Sequence, residues 1–273
     1  MSLFNNKEKK IKKFRAKHKI GLCLSGGGTK GFSYIGAFKA FEESNIKFDM
    51  VAGTSVGSLF GALYASGFTS EQMANIAKNV KTSDFRKSKL GFLPSKMDAL
   101  AENLNSVLKI KNIEKLPMPY FAVACNLRTG KEVRLNEGNL ISAITGSCAI
   151  PGVFCPVKHK DMLLIDGGVV NNVPVDVLKE NGCEYVVTID CNSSRGGGTQ
   201  SNSLITQFVT SIGITMVNNS KKGIELSDII IRPDTKMFNS LKINNIEELI
   251  EAGYIATKQA MQQIENLLMG KLK

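Results

Sequence analysis

Histidine is scarce in this 273-residue chain: His18 and His159 are the only two. The side chain that most often serves as a general base therefore has few places from which to act. Long apolar runs are also missing. None approaches the roughly 18 residues needed to cross a bilayer. The first twenty residues, MSLFNNKEKKIKKFRAKHKI, carry charge but lack the apolar stretch of a secretory signal. The six cysteines (Cys23, Cys125, Cys148, Cys155, Cys183, Cys191) form no CxxC pair and no metal-like spacing with the histidines. Reduced thiols and a cytoplasmic location are the expectation.

Charge is present but unevenly placed. Residues 1–20 hold seven Lys and one Arg against Glu8, which is +7 of the total +11. The sequence predicts a basic, flexible tail over 1–19 and a single domain over 20–273. Phe4, Ile11 and Phe14 interleave the basic residues, so peripheral contact with an anionic membrane is one use for the tail. Nucleic acid is not an expected partner, because no basic stripe continues beyond residue 20.

Along the rest of the chain, short apolar strands alternate with helical spacing. Lys19–Ser25, Asp49–Gly53 and Tyr185–Asp190 read as strands, and Thr29–Ser44 and Val56–Ser66 as helices. Arg128-Thr129-Gly130 marks one hairpin. A second has His159 and Lys160 at its tip, where the histidine would be solvated. The pattern predicts an α/β fold with a mostly parallel central sheet covered by helices on both faces.

Three glycine-marked clusters fall at the carboxyl ends of predicted strands, where such sheets place their sites. The first is Ser25-Gly26-Gly27-Gly28-Thr29-Lys30-Gly31. Its backbone N–H groups, at the start of a helix, suit a phosphate or the oxyanion of an acyl-transfer intermediate. Gly26, Gly28 and Gly31 also match G-x-G-x-x-G, so a nucleotide-binding module is an alternative. In that reading Asp49 would bind the ribose, but it precedes its strand instead of ending it. The second cluster, Gly53-Thr54-Ser55-Val56-Gly57, is a G-x-S-x-G motif between strand and helix, the setting of a nucleophile elbow. Ser55 is the candidate nucleophile.

A serine nucleophile needs a base. A triad of Ser55, His159 and either Asp84 or Asp98 has the chain order of ordinary α/β-hydrolases. The third cluster, Ile165-Asp166-Gly167-Gly168, offers another base. A carboxylate held dry at a strand end rises in pKa and can take the serine proton directly. Asn171, Asn172 and Pro174 read as a turn and cap for the following helix. Phe60, Leu63 and Tyr64 are candidates for an acyl-chain groove.

In order and spacing these clusters resemble the patatin-like phospholipase family, in its compact bacterial form. The segments that carry the likeness are LSGGGTKGFSYIGAF (24–38), AGTSVGSLFGALYASG (52–67), SCAIPGVFCPV (147–157) and IDGGVVNNVP (165–174). The resemblance implies a patatin-like fold and a serine acyl hydrolase cleaving phospholipids, lysophospholipids or related acyl esters. Ser55 and Asp166 would form a catalytic dyad, with oxyanion donors from Gly26, Gly27, Gly28 and Thr29. Lys30 and Gly31 would position the loop, and Lys30 has a second possible use at a phosphate head group. The resemblance implies no metal and no cofactor.

Overall fold

A computed structural model describes residues 2–78, 94–192, 204–238, 240, 243 and 245–271. Strands β1 (Ile20–Leu24), β2 (Met50–Thr54), β3 (Tyr120–Asn126), β7 (Tyr185–Ile189) and β8 (Ile229–Ile231) run parallel. β4 (Glu132–Leu135) and β6 (Met162–Asp166) are antiparallel to β3, and β5 (Val157–His159) is antiparallel to β6. The sheet order is β5-β6-β3-β2-β1-β7-β8, with β4 on β3.

The sheet is covered on both faces, which is why its central strands are continuously apolar. Cys23, Met50, Ala52, Phe121 and Val123 face α7 (Val175–Glu180) and α9 (Lys221–Leu226). Their neighbours Leu22, Leu24, Val51, Ala122 and Ala124 face a larger core. That core includes α2 (Ser33–Glu43), α3 (Val56–Ala65), α5 (Asp98–Val107), α6 (Leu140–Ser147) and α10 (Ile246–Leu268).

The register around β3 positions the site. β2 pairs with Val51↔Tyr120 through Thr54↔Val123, and β6 pairs with Ala124↔Asp166 through Asn126↔Leu164. β4 pairs with Ala122–Cys125, overlapping both partners, so it occupies the other edge of β3. β2 and β6 therefore share one edge and meet head-on at their carboxyl ends. Residues 54 and 166, far apart in the chain, oppose adjacent residues of β3.

Two expectations change. Ser2–Arg15 forms a helix, α1, where the sequence predicts a flexible tail. Ile11 and Phe14 lie three apart and pack on the core, while Lys9, Lys10, Lys12 and Lys13 stay exposed. A helix gathers the few apolar residues into one stripe, an effect that a count of charge conceals. Phe14 lies 5.4 Å from the Tyr185 ring, and Arg15 pairs with Asp49 at 2.8 Å. α1 thus ends at the amino ends of the strands. The hairpin of β5 and β6 forms as expected, but His159 is buried, with Nδ1 2.8 Å from Ser142 Oγ. It faces α6, not solvent.

Candidate active site

Ser55 sits at the sharp turn between β2 and α3 with φ 55° and ψ −129°. Positive φ in a residue with a Cβ costs on the order of 1–3 kcal/mol and persists only when its surroundings enforce it. The flanking glycines allow that enforcement. A Cβ on Gly53 would lie 2.2 Å from Gly57 O, and one on Gly57 would lie 2.2 Å from Leu24 O. The Ser55 carbonyl accepts from Ser58 N–H at 2.8 Å, starting α3. Its own N–H donates to Ser147 Oγ at 2.8 Å. Thr54 Oγ1 donates to Asn171 O at 2.8 Å, tying the elbow to the loop after β6.

Asp166 ends β6 and is fully buried. Its N–H donates to Ala149 O at 2.9 Å, and its Oδ1 accepts from Gly168 N–H at 2.8 Å. Oδ2 has no hydrogen-bond partner among the described residues. Burial pushes this carboxyl up to about 7, with Ser55 and the Gly168 N–H pulling the other way. Ser55 is thus close enough to favour the charged form, though its hydroxyl makes no bond of ordinary geometry to Oδ2. The neighbouring Cys148 thiol is pushed far up by burial and by Asp166, so it stays neutral.

The glycine-rich loop lies beside both. Its N–H groups are not equally available. Gly26 N–H donates to Asn172 O at 3.1 Å, and Thr29 N–H donates to Ser240 O at 3.0 Å. The expectation of four oxyanion donors is therefore corrected: Gly26 and Thr29 are spent on backbone carbonyls. Gly27 and Gly28 show no such acceptor among the described residues. Gly28 has φ +60°, and a Cβ there would lie 2.1 Å from Ser240 O. Lys30 is buried, and its charge acts on Asp190 and Cys191. It therefore stabilises the strand end behind the loop. Gly31 packs against Val56, where a Cβ would come within 2.4 Å of Cγ2.

A cavity of about 190 Å³ opens on Ser55. Phe32, Phe60, Leu63, Met97, Leu100 and Leu104 are among the side chains that line it, and Gly28 and Ser240 stand near the serine. Phe60 and Leu63 are in the wall as expected. Tyr64 is not: it stacks on Phe38 with ring centroids 4.9 Å apart.

The other candidates lie elsewhere. His159 pairs with Met162, four residues before Asp166, so it stands ~13 Å from that carboxylate along the strand. Burial lowers its pKa. His18 pairs with Glu184 at the amino edge. Asp98 is exposed in the first turn of α5, and Asp84 lies outside the described residues. Asp49 binds Arg15 and the Ile20 N–H at the amino edge, away from the glycine loop that a nucleotide would need. Among the described residues no three His, Cys, Asp or Glu side chains gather as metal ligands.

Asn172 has more to do than the expected turn. It is buried, its carbonyl takes Gly26 N–H, and its Nδ2 donates to Ser220 Oγ at 3.0 Å. Pro174 occupies the position just before the first residue of α7. Ser147 and Asn172 lie within segments that carry the family resemblance, but nothing local marks their roles, and Ser240 lies outside every motif; each reaches the site through long-range contact.

A glycine loop, a serine at positive φ and a buried aspartate now stand together in chain order. The family model described as patatin-like phospholipase matches residues 22–179, more than half the chain. The chain belongs to the patatin-like phospholipase family. The family match takes in the glycine loop, the elbow and Asp166. Mouse patatin-like phospholipase domain-containing protein 6 is 35% identical over 189 residues, covering 64% of this chain and 14% of that protein. An uncharacterized NTE family protein of Mycobacterium bovis is 32% identical over 187 residues, covering 66% of this chain and 51% of its own length. The chain thus spans a minor part of the first and about half of the second. Among solved structures, VipD from Legionella pneumophila aligns with TM-score 0.54 at 15% identity, over 90% of this chain and 67% of that one. Human GIVD cytosolic phospholipase A2 aligns with TM-score 0.54 at 10% identity, over 97% and 63%. These two likenesses establish the patatin-like fold and nothing further.

Proposed function

We propose that this chain is a lipid acyl hydrolase that cleaves carboxylic esters of phospholipids, lysophospholipids or related lipids through a Ser55–Asp166 dyad. One observation carries the reading: Asp166 is buried beside Ser55, and its Oδ2 has no hydrogen-bond partner among the described residues. A carboxyl near pKa 7 is matched to proton transfer at neutral pH.

The acyl chain enters the apolar cavity and its carbonyl carbon meets Ser55 Oγ. As Oγ attacks, its proton passes to Asp166 Oδ2, and the carbonyl electrons move onto oxygen. The Gly27 and Gly28 N–H groups stabilise that oxyanion. Collapse expels the alcohol, which takes the proton from Asp166 and leaves an acyl ester on Ser55. Water then gives a proton to Asp166 and attacks the acyl carbon, releasing the carboxylic acid and restoring Ser55. Lys30, buried with its charge acting on Asp190 and Cys191, supports the strand end behind the loop.

Among the described residues no helix is long and apolar enough to cross a membrane. α1 ends at the strands' amino edge, whereas the cavity opens at their carboxyl edge. The carboxyl-terminal end of the basic helix thus lies at the opposite edge of the sheet from the cavity.

The test is labelling by a fluorophosphonate together with turnover of a soluble p-nitrophenyl ester. Wild type is expected to label, Ser55→Ala to lose both labelling and turnover, and His159→Ala to keep them. A dead His159→Ala with an active Asp166→Asn would replace the dyad by the histidine triad.

A further inference from the structure

The rungs from β2 to β3 recur at every second residue, starting with Val51 N–H to Pro119 O at 3.0 Å. In that register the rung due from Ser55 N–H would end on Val123 O. It does not run directly. Ser55 N–H donates to Ser147 Oγ at 2.8 Å, and Ser147 Oγ–H donates to Val123 O at 2.6 Å. A hydroxyl is spliced into the ladder at the residue where the elbow lifts away from its neighbour.

The direction of both bonds is fixed, because an amide only donates and a carbonyl only accepts. Ser147 is fully buried at the end of α6. Two residues on, Ala149 O takes the Asp166 N–H at 2.9 Å. The segment 147–149 therefore holds one backbone amide from each member of the dyad, where β2 and β6 meet on β3.

We propose that Ser147 is a positioning residue: its inserted hydroxyl sets the height of Ser55 above β3 and so the reach from Ser55 Oγ to Asp166. The proposal rests on the dyad reading given above. Alanine at 147 would leave a buried N–H unpartnered beside a strained turn, and the elbow would relax toward β3 or away from it. A displacement of about 1 Å can cost on the order of a hundredfold in rate. Ser55 helps hold the Asp166 pKa down, and among the described residues the ionisable side chain that Asp166 acts on is the neutral Cys148. Once Ser55 recedes, the acidic limb of the pH profile should move to higher pH.

Ser147→Ala is expected to lower kcat roughly 10- to 100-fold with KM within about twofold. The fluorophosphonate labelling rate should fall in proportion, and the acidic limb should move upward. Ser147→Thr, which keeps the hydroxyl, should recover most of the kcat. Thr145→Ala removes a nearby buried hydroxyl that serves only α6, bonding Ile141 O at 2.8 Å. It should lower Tm while leaving the limb in place. The proposal fails if Ser147→Ala retains wild-type kcat. It fails equally if its activity drops only as Tm drops, with the limb unmoved. Turnover surviving in Ser55→Ala would sink the dyad reading itself. An inactive Ser55→Ala beside an unimpaired Ser147→Ala would sink only this inference.

Discussion

Asp166 and Asp176 lie ten positions apart, both with buried side chains, in opposite environments. Asp166 has glycines, a serine and a neutral thiol around it, and one oxygen without a partner among the described residues. Asp176, in the first turn of α7, has Lys222 Nζ at 2.6 Å, Arg134 Nη2 at 3.3 Å and Asn171 Nδ2 at 2.9 Å. Burial works to raise both pKa values. At Asp166 it prevails, giving about 7. At Asp176 Lys222, Asn171 and Arg134 outweigh it, and the carboxyl stays below its ordinary value. Satisfying a buried carboxylate makes it a brace; denying it a cation keeps it available for a proton.

Asp176 is linked to the nucleophile elbow through Asn171, whose side chain bonds Asp176 and whose carbonyl takes Thr54 Oγ1. The brace therefore supports the backbone beside the nucleophile without touching the reacting atoms.

The largest contrast should appear in rate. Asp166→Asn is expected to reduce ester turnover by 10²- to 10⁴-fold, the range for losing a general base. Asp176→Ala should change kcat per folded molecule by less than roughly threefold. Equal losses in the two variants would erase the distinction.

Stability should show the opposite order. A carboxyl with a raised folded pKa makes the folded chain hold a proton that the unfolded chain has released. The stability it contributes is full below about pH 4 and is lost as pH rises through about 7. Asp166→Asn removes that loss, so at pH 8 it should exceed wild type by up to about 4 kcal/mol, with the difference vanishing below pH 4. Asp176→Ala removes the acceptor of Lys222, Asn171 and one arm of Arg134, which keeps Glu132 and Glu180, and should cost about 2–3 kcal/mol at pH 8. Denaturant titrations of both variants at the two pH values decide this. The smallest effect belongs to Lys222→Ala: this lysine is 69% exposed, and exposed pairs contribute under about 1 kcal/mol. A larger loss would mean that the brace depends on Lys222 more than on Arg134.

Much of the site was legible in the chain. Gly53-Thr54-Ser55-Val56-Gly57 is contiguous, and its glycines are needed for a local reason, the clash of a Cβ with nearby backbone. Asp166 was legible as a strand-end acid before two glycines. The burial of His159 is not legible, because its flanking lysines suggest solvent, whereas its ring turns inward to Ser142. Which amides of the glycine loop are open to an oxyanion is not legible: sequence marks which amides are flexible, not which already donate to Asn172 O and Ser240 O.

By itself the sequence determined the alternation of strand and helix, the three glycine clusters and the chemical types at the site. Each of these is set by neighbours a few residues apart, through periodicity and turn geometry. Only the tertiary structure decided that β2 and β6 meet head-on along β3, which brings residues 55 and 166 together. It also decided that Ser147 splices into the ladder and that, among the described residues, Asp166 has no cation beside it while Asp176 gains two. Those outcomes depend on strand register and on how deeply each group is buried, and both arise from contacts between residues tens of positions apart.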